Sequence, residues 1–218
     1  MFDDDRYLQS ASAHFSLMFN ESGETARGVD WNSEASQLTR FAQLCRFIDA
    51  DAQFTINDIG CGYGALVDFL TRAGAGFSYH GYDVSGPMIE SARVRYDGRP
   101  HIRFSCSAQV DQPADYSVAS GIFHKRFGRS DAEMLDYQLR TLAMMDRASR
   151  LGFSFNCFSR YGDVQQQRSD LFYADPCLLF DFCRTRCAAR VALLHDYDPL
   201  DFTIVVTKDP PPSAPSSP

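Results

Sequence analysis

The chain has 218 residues, 44% hydrophobic and 22% charged, which suits one globular domain with a sizeable core. Its net charge is −7 and no basic cluster exceeds a short pair such as Lys125-Arg126, so a nucleic-acid partner is disfavoured. No apolar run approaches the ~20 residues of a membrane span, and seven cysteines, an odd number set mostly in apolar segments, read as reduced, buried thiols of a cytoplasmic protein.

Residues 1–30 are polar and punctuated by Asp, Ser, Gly and Thr, and read as an N-terminal arm or lid. In 32–50, Leu38, Phe41, Leu44, Cys45 and Ile48 recur at helical spacing. Strand and helix patterns then alternate: a strand at 54–58, a helix at 64–72, a strand at 77–83. Ser85 caps the next helix, with Pro87 in its first turn and Met88, Ile89 and Ala92 on its apolar face. Strands follow at 101–106 and 116–123. Ser130 and Glu133 have the spacing of a capping box, and Leu135, Leu139, Leu142, Ala143 and Met145 continue that helix. A strand at 151–158 leads into a polar, aromatic segment at 159–175. Asp175-Pro176 then starts a helix to about Cys183. Strands at 190–195 and 202–207 are expected to pair as an antiparallel edge. The tail, 209–218, is Pro/Ser-rich without an apolar anchor and reads as disordered.

This alternation predicts an α/β fold: a doubly wound, mostly parallel seven-stranded sheet with an antiparallel last strand and helices on both faces. Residues 31–208 form its single domain. Cys183 and Cys187 share helical spacing, but no second ligand pair lies nearby, so no metal site is expected.

The first strand runs into Asp58-Ile-Gly60-Cys61-Gly62-Tyr-Gly64. Glycines in a strand-to-helix turn let a ligand approach the backbone closely. A dinucleotide is one reading, since Gly60, Gly62 and Ala65 satisfy a permissive G-x-G-x-x-A pattern. Its pyrophosphate would then lie beside Asp58, and two like charges repel in a partly desolvated loop. S-adenosylmethionine carries no phosphate. Its cationic part suits the acid and its carboxylate suits the helix N-terminus. Asp83 ends the second strand, roughly 20 residues on, where an acid binds ribose hydroxyls.

The Asp58-to-Gly64 stretch, with Asp83-Val-Ser85-Gly-Pro-Met88-Ile-Glu-Ser-Ala92 after it, resembles the signatures of class I S-adenosylmethionine-dependent methyltransferases. The resemblance spans the pattern from 54 to 158 and implies the cofactor more than the acceptor. It implies that Asp58, Gly60, Cys61, Gly62 and Gly64 hold the methionine and ribose side, with Val84 and Met88 packed on adenine. Ser107 and Ala108 fall at the adenine edge, where Ser107 replaces the family's usual acid. Ser120, at the end of the fourth strand, falls at the methyl-transfer site.

His124 follows that strand at the sheet's carboxyl edge and is the first candidate general base; the alternative is a surface or hydrogen-bonded histidine. His195 is the second, against a loop histidine paired with Asp196. Asn156, an amide inside an apolar strand, is either structural or acceptor-orienting. Tyr161 and Tyr173, on the long segment after the fifth strand, are candidate substrate contacts. Trp31 is a third, with a packing role as its alternative.

The resulting expectation is an S-adenosylmethionine-dependent transfer of methyl to a small-molecule acceptor, at oxygen or nitrogen, by a monomer or homodimer. The alternatives are a catalytically inactive S-adenosylmethionine-binding module and an NAD-dependent oxidoreductase.

Overall fold

The computed structural model describes residues 4–163, 165, 167–188 and 190–209. The expected disordered tail, apart from Asp209, lies outside the described residues. The chain folds as α1 (Asp4–Ser22), α2 (Glu34–Cys45), β1 (Phe54–Ile59), α3 (Ala65–Arg72), β2 (Phe77–Asp83), α4 (Gly86–Arg95), β3 (Ile102–Cys106), β4 (Ala114–Ala119), α5 (Asp131–Ala148), β5 (Ser149–Phe158), α6 (Pro176–Arg186), β6 (Arg190–Leu194) and β7 (Asp201–Thr207).

The seven strands have the order β3-β2-β1-β4-β5-β7-β6. All neighbouring pairs among the first five are parallel, and β7 is antiparallel to both β5 and β6. The expected pairing of the last two strands therefore holds, but β7 is not at the edge. It inserts between β5 and β6, and its burial explains why: six of its seven residues are buried. β6, with its exposed and half-buried side chains, takes the edge.

Alternating side chains split the core in two. Ile56, Tyr79, Tyr116 and Val118 pack with Phe41 and Leu44 of α2, Leu66 and Val67 of α3, and Ile89 of α4. Ala119, Phe153, Phe155, Cys157, Ile204 and Val206 pack on the other face with Met134, Leu142 and Met145 of α5 and Leu179 and Cys183 of α6. The helices thus cover both faces of the sheet. Strand order reverses between β1 and β4, and that crevice at the carboxyl ends is where open α/β sheets bind ligands.

Two local readings change. The polar first segment is not an open arm: most of it is the 19-residue helix α1. Only Tyr7 and Ala11 of it are buried, and its apolar side Tyr7, Leu8, Ala11 and Phe15 faces the cavity. Aromatic contacts, Tyr7 with Phe127 and Tyr137, Phe15 with Phe127 and Phe19 with Tyr63, hold it together with polar ones. Tyr7 Oη donates to the Lys125 carbonyl (3.0 Å), Ser12 Oγ to the Val84 carbonyl (2.8 Å), and the Ser16 and Ser85 hydroxyls share a hydrogen bond (2.9 Å). The apolar run at 116–123 also stops being strand at Ala119. Gly121, at φ +80°, turns the chain out of the sheet, so Ile122 and Phe123 belong to the loop above it.

Candidate functional site

A cavity of about 590 Å³ lies over the carboxyl ends of β1, β2 and β4, beneath α1. Its wall includes Asp58, Gly60, Cys61, Gly62, Asp83, Val84, Met88, Ser107, Ala108, Ser120, His124 and Trp31.

The glycine loop is built for close approach. Gly60 and Gly62 have φ of +77° and +55°. A Cβ on Gly60 would sit 2.2 Å from Ile122 Cγ2, and one on Gly62 would sit 2.8 Å from Val29 Cγ1. Neither position has room for a side chain. The Gly60 and Cys61 amides donate to the Tyr82 carbonyl at 2.7 and 3.1 Å, tying the loop to the end of β2. Gly64 is different. It is the left-handed N-cap of α3, and a Cβ there would strike Tyr96 and Phe104 rather than the cavity, whose wall does not include it.

Asp83 is a junction. Its Oδ2 accepts from the Gly62 amide and its Oδ1 from the Ser85 amide, both at 2.8 Å. Burial lifts its carboxyl above the usual range, and these backbone donors oppose that. Asp58 is deeper, 3% exposed, and its Oδ2 accepts from the Tyr79 hydroxyl at 2.7 Å. Burial pushes it up to about 7; the Tyr79 hydrogen bond pulls the other way and the Asp83 charge adds to the rise. Burial also drives the Cys61 thiol well up, so it stays a neutral thiol.

Ser107 closes a tight turn on itself: its Oγ accepts from the Gln109 amide (2.9 Å) and pairs with the Gln109 carbonyl (3.0 Å). The Ser120 Oγ is buried with no hydrogen-bond partner.

The far end of the cavity is aromatic. A Cβ on Gly121 would lie 2.9 Å from Trp31 Cζ2, so the indole rests on that turn. Trp31 meets the His124 ring edge to face (5.7 Å) and carries the Arg40 guanidinium over its ring at 4.6 Å. The His124 ring stacks on Phe158 with centroids 3.8 Å apart. Its Nε2 is buried, lacks a hydrogen bond, and lies 3.7 Å from Asp201 Oδ1. Burial first, then the Arg40 and Lys125 charges, push the imidazole down to about 3, so it is neutral at physiological pH.

Behind these groups runs a buried polar chain. Arg40 of α2 pairs with Asp201 of β7, and its guanidinium also lies 3.6 Å from Asp198. Asn156 Nδ2 donates to Asp201 Oδ1 (3.3 Å), and Asn156 Oδ1 accepts from the Gly121 amide (2.9 Å). Burial raises Asp201 to about 6 while Arg40 holds it down. Asn156 thus fixes the Gly121 turn from below and is not on the cavity wall.

Three further sequence candidates also stand apart from the wall. His195 follows β6 and packs edge-on to Phe202 at 6.1 Å. Tyr161 is 64% exposed, its hydroxyl 4.0 Å from Cys177 Sγ. Tyr173 accepts from the Arg168 amide at 3.0 Å and stacks on Phe158, behind His124.

Several wall residues were not among the site candidates the sequence offered. Gln37 and Phe41 come from α2, Phe15 from α1, and Asp30 and Lys125, paired at 2.9 Å, from two loops. The buried face of α2 is Gln37, Arg40, Phe41 and Leu44. Two of those four are polar, so hydropathy spacing alone places the face through Leu38 and Cys45 and misses Gln37.

Among known proteins, a family described as methyltransferase domain matches residues 56–143. A Mycobacterium tuberculosis (strain H37Rv) protein, Rv1506c, provisionally named a methyltransferase, is 50% identical over 163 residues, which is 75% of this chain and 98% of that protein. Among solved structures, magnesium protoporphyrin IX methyltransferase from Synechocystis PCC 6803, with bound S-adenosylhomocysteine, matches with a TM-score of 0.65 at 11% identity, over 94% of this chain and 97% of that one. The N-methyltransferase NodS from Bradyrhizobium japonicum WM9, also with S-adenosylhomocysteine, matches with a TM-score of 0.63 at 13% identity, over 90% and 97%. At those identities the likeness is one of fold.

The wall fits S-adenosylmethionine chemically. Buried Asp58 and half-buried Asp83 suit a ligand with a cationic head and a diol, and at Gly60 and Gly62 the missing side chains let Ile122 and Val29 pack against the loop. A pyrophosphate would face the same two carboxylates with like charge.

Proposed function

The chain belongs to the class I S-adenosylmethionine-dependent methyltransferases, and from that premise we propose that it methylates a small-molecule acceptor at oxygen or nitrogen by in-line displacement. The observation that carries this reading is the joining of both ends of such a reaction in one cavity: Asp58 and Asp83 with the glycine loop at one end, Trp31 and His124 at the other. When bound, the cofactor supplies an electrophilic methyl group on a sulfonium.

In this reading Asp83 accepts hydrogen bonds from the ribose hydroxyls, and its two backbone contacts hold it in place beforehand. Asp58 faces the ammonium. Val84 and Met88 pack on adenine, and Ser107 and Ala108 border its edge through backbone and methyl rather than through the Ser107 hydroxyl, which is taken by Gln109. Trp31 lies on the Gly121 turn and excludes water from the transfer site. Ser120 offers its unpartnered hydroxyl there. His124, neutral at physiological pH, accepts a hydrogen bond from the acceptor's hydroxyl or amine. An imidazole this hard to protonate is a weak base. Its main effect is therefore alignment of the nucleophile, which is where methyl transfer gains most. Asn156 acts on that geometry through Gly121. His195, Tyr161 and Tyr173 are given no part.

The acidic net charge favours a small acceptor over a nucleic acid. Among the described residues no helix is long and apolar enough to cross a membrane.

Calorimetry with S-adenosylmethionine, S-adenosylhomocysteine and NAD, followed by methyl transfer from radiolabelled cofactor into a small-molecule extract, tests the reading. Binding of the first two ligands and label in the extract are expected. Binding of NAD alone would overturn it. Cofactor binding with no label in any acceptor would favour the inactive binding module.

A further inference from the structure

The acceptor end of the cavity is walled by aromatic rings. The loops bearing Trp31 and His124 are linked twice in parallel. The Trp31 and His124 rings meet, and their chain neighbours Asp30 and Lys125 form the 2.9 Å ion pair. Two residues beyond Lys125, Phe127 is also on the wall, and its ring meets Phe15 of α1 at 6.5 Å. Trp31, Phe127 and Phe15 are each half-buried wall residues, so a ligand can reach ring surface at all three. The backbone is special here too. Asp30 and Phe127, at φ +61° and +47°, are the only non-glycine residues with positive φ among the described ones. Such conformations cost energy, and they cluster where a site must be held in shape.

The polar groups at this end include no strong base. Ser120 Oγ and His124 Nε2 are both buried and both lack a hydrogen-bond partner, the state of groups that await one. A serine hydroxyl does not take up a proton, and the His124 imidazole is held neutral by burial and by the Arg40 and Lys125 charges. Asp30 is occupied by Lys125 and by His14, the latter at 3.4 Å. Asp201 is off the wall and paired with Arg40. An alkyl alcohol ionises about as reluctantly as water, near ~15.7, whereas a phenol ionises near ~10, as tyrosine does. At neutral pH about one phenol in a thousand is anionic, a fraction larger by roughly five orders of magnitude or more than that of the alcohol. An alkyl amine arrives as a cation, and the Trp31 ring already carries the Arg40 guanidinium.

We propose that the acceptor is a phenol: a small aromatic ring that packs among Phe15, Trp31 and Phe127, with its hydroxyl oxygen between Ser120 and His124. This rests on the methyltransferase reading and on the transfer site placed above. The hydroxyl is received by Ser120 Oγ and His124 Nε2 and gives its proton to bulk water before the site closes. An oxygen electron pair then forms the bond to the methyl carbon as the carbon–sulfur pair passes to sulfur, leaving an aryl methyl ether and S-adenosylhomocysteine. Ring packing supplies the orientation, and the acidity of the phenol replaces the missing base.

The test supplies radiolabelled S-adenosylmethionine with one- and two-ring phenols, the cyclohexanols of the same skeletons and ring-bearing alkyl amines, beside the small-molecule extract. Label should enter phenols at least about a hundredfold faster than the matched alcohols and amines. In calorimetry, Phe15→Leu and Phe127→Leu should weaken a labelled phenol's binding to the S-adenosylhomocysteine complex by about three- to tenfold, with S-adenosylhomocysteine affinity unaltered. A melting curve on each variant reports folding, and either folded variant carries the comparison. Alcohols or amines labelled as fast as phenols, or labelled extract products without an aryl methyl ether, would overturn the assignment and leave methyl transfer standing. So would unchanged phenol affinity in a folded variant. No cofactor binding, or label in nothing, extract included, would overturn the methyltransferase reading itself.

Discussion

Asp83 engages two backbone amides at once, and so has two jobs that one substitution can separate. Asp83→Asn keeps the shape but exchanges an acceptor for a donor facing the Gly62 or Ser85 amide. Asp83→Ala removes both contacts and the ribose partner. We expect Asp83→Ala to weaken S-adenosylhomocysteine by about ten- to hundredfold, the value of hydrogen bonds to a charged group, with the fold retained. Unchanged affinity in calorimetry would show that the ribose lies elsewhere. Asp58 is a matter of pH. An unfolded aspartate titrates near ~3.9, whereas in the fold Asp58 titrates at about 7. The folded state therefore binds its proton more tightly. The stability this contributes is full below about pH 4 and is lost as pH rises through about 7. Asp201, raised to about 6, slopes in the same direction. Asp58→Asn should thus flatten, not abolish, the fall in melting temperature between about pH 4 and about pH 8. Parallel wild-type and variant slopes would contradict the burial argument. The acid and the glycines were legible in the sequence because charge and missing side chains are read one residue at a time. The Asp58 proton was not, because its affinity is set by Tyr79, Asp83 and the surrounding core, which meet it only in the fold.

At the scale of elements, α5 and α1 are opposite cases. α5 begins with a reciprocal cap, in which Ser130 Oγ accepts from the Glu133 amide and the Glu133 carboxylate accepts from the Ser130 amide. Its residues are local neighbours, so the sequence displays the helix start directly. Ser130→Ala should cost about 1 kcal/mol in urea unfolding, with cofactor affinity unaltered. α1 shows no such signature. It buries Tyr7 and Ala11 and depends largely on partners distant in the chain, such as the Val84 carbonyl for Ser12 and the Phe127 ring for Tyr7. A helix with two buried residues, laid over a cavity, should open more readily than the central strands. Hydrogen exchange at α1 should accordingly be faster than in β4 and β5, and slow when S-adenosylhomocysteine is added. Exchange in α1 that ignores the ligand would mean that this helix does not cover it. The lid expected for residues 1–30 is, in this proposal, α1 and the loop bearing Trp31.

Across the whole molecule, the Arg40–Asp201 pair joins α2 to β7, the strand inserted between β5 and β6. Asp201 is fully buried, so losing its partner strands a charge. Arg40→Met should destabilise the fold by ~3–5 kcal/mol. Adding Asp201→Asn should recover much of that loss, measured by urea unfolding of the single and double variants. No recovery would mean that the pair is not coupled. The same pair sits beneath Trp31, Asn156 and His124, so α2 and β7 together set the floor of the transfer site.

The alternation of strands and helices, the glycine loop and the acids at the ends of β1 and β2 are all legible in the chain before it folds. These rest on local periodicity, on backbone freedom and on charge, which need no partner to be read. Which residues share the cavity is fixed by packing between distant elements. That packing placed β7 inside the sheet, turned Ile122 and Phe123 out of it, set Gln37 on the wall and drew Asn156 beneath it. The physical reason is that a side chain's surroundings come from elements distant in the chain, and hydrogen bonding inside a packed core can bury a polar residue that hydropathy assigns to the surface.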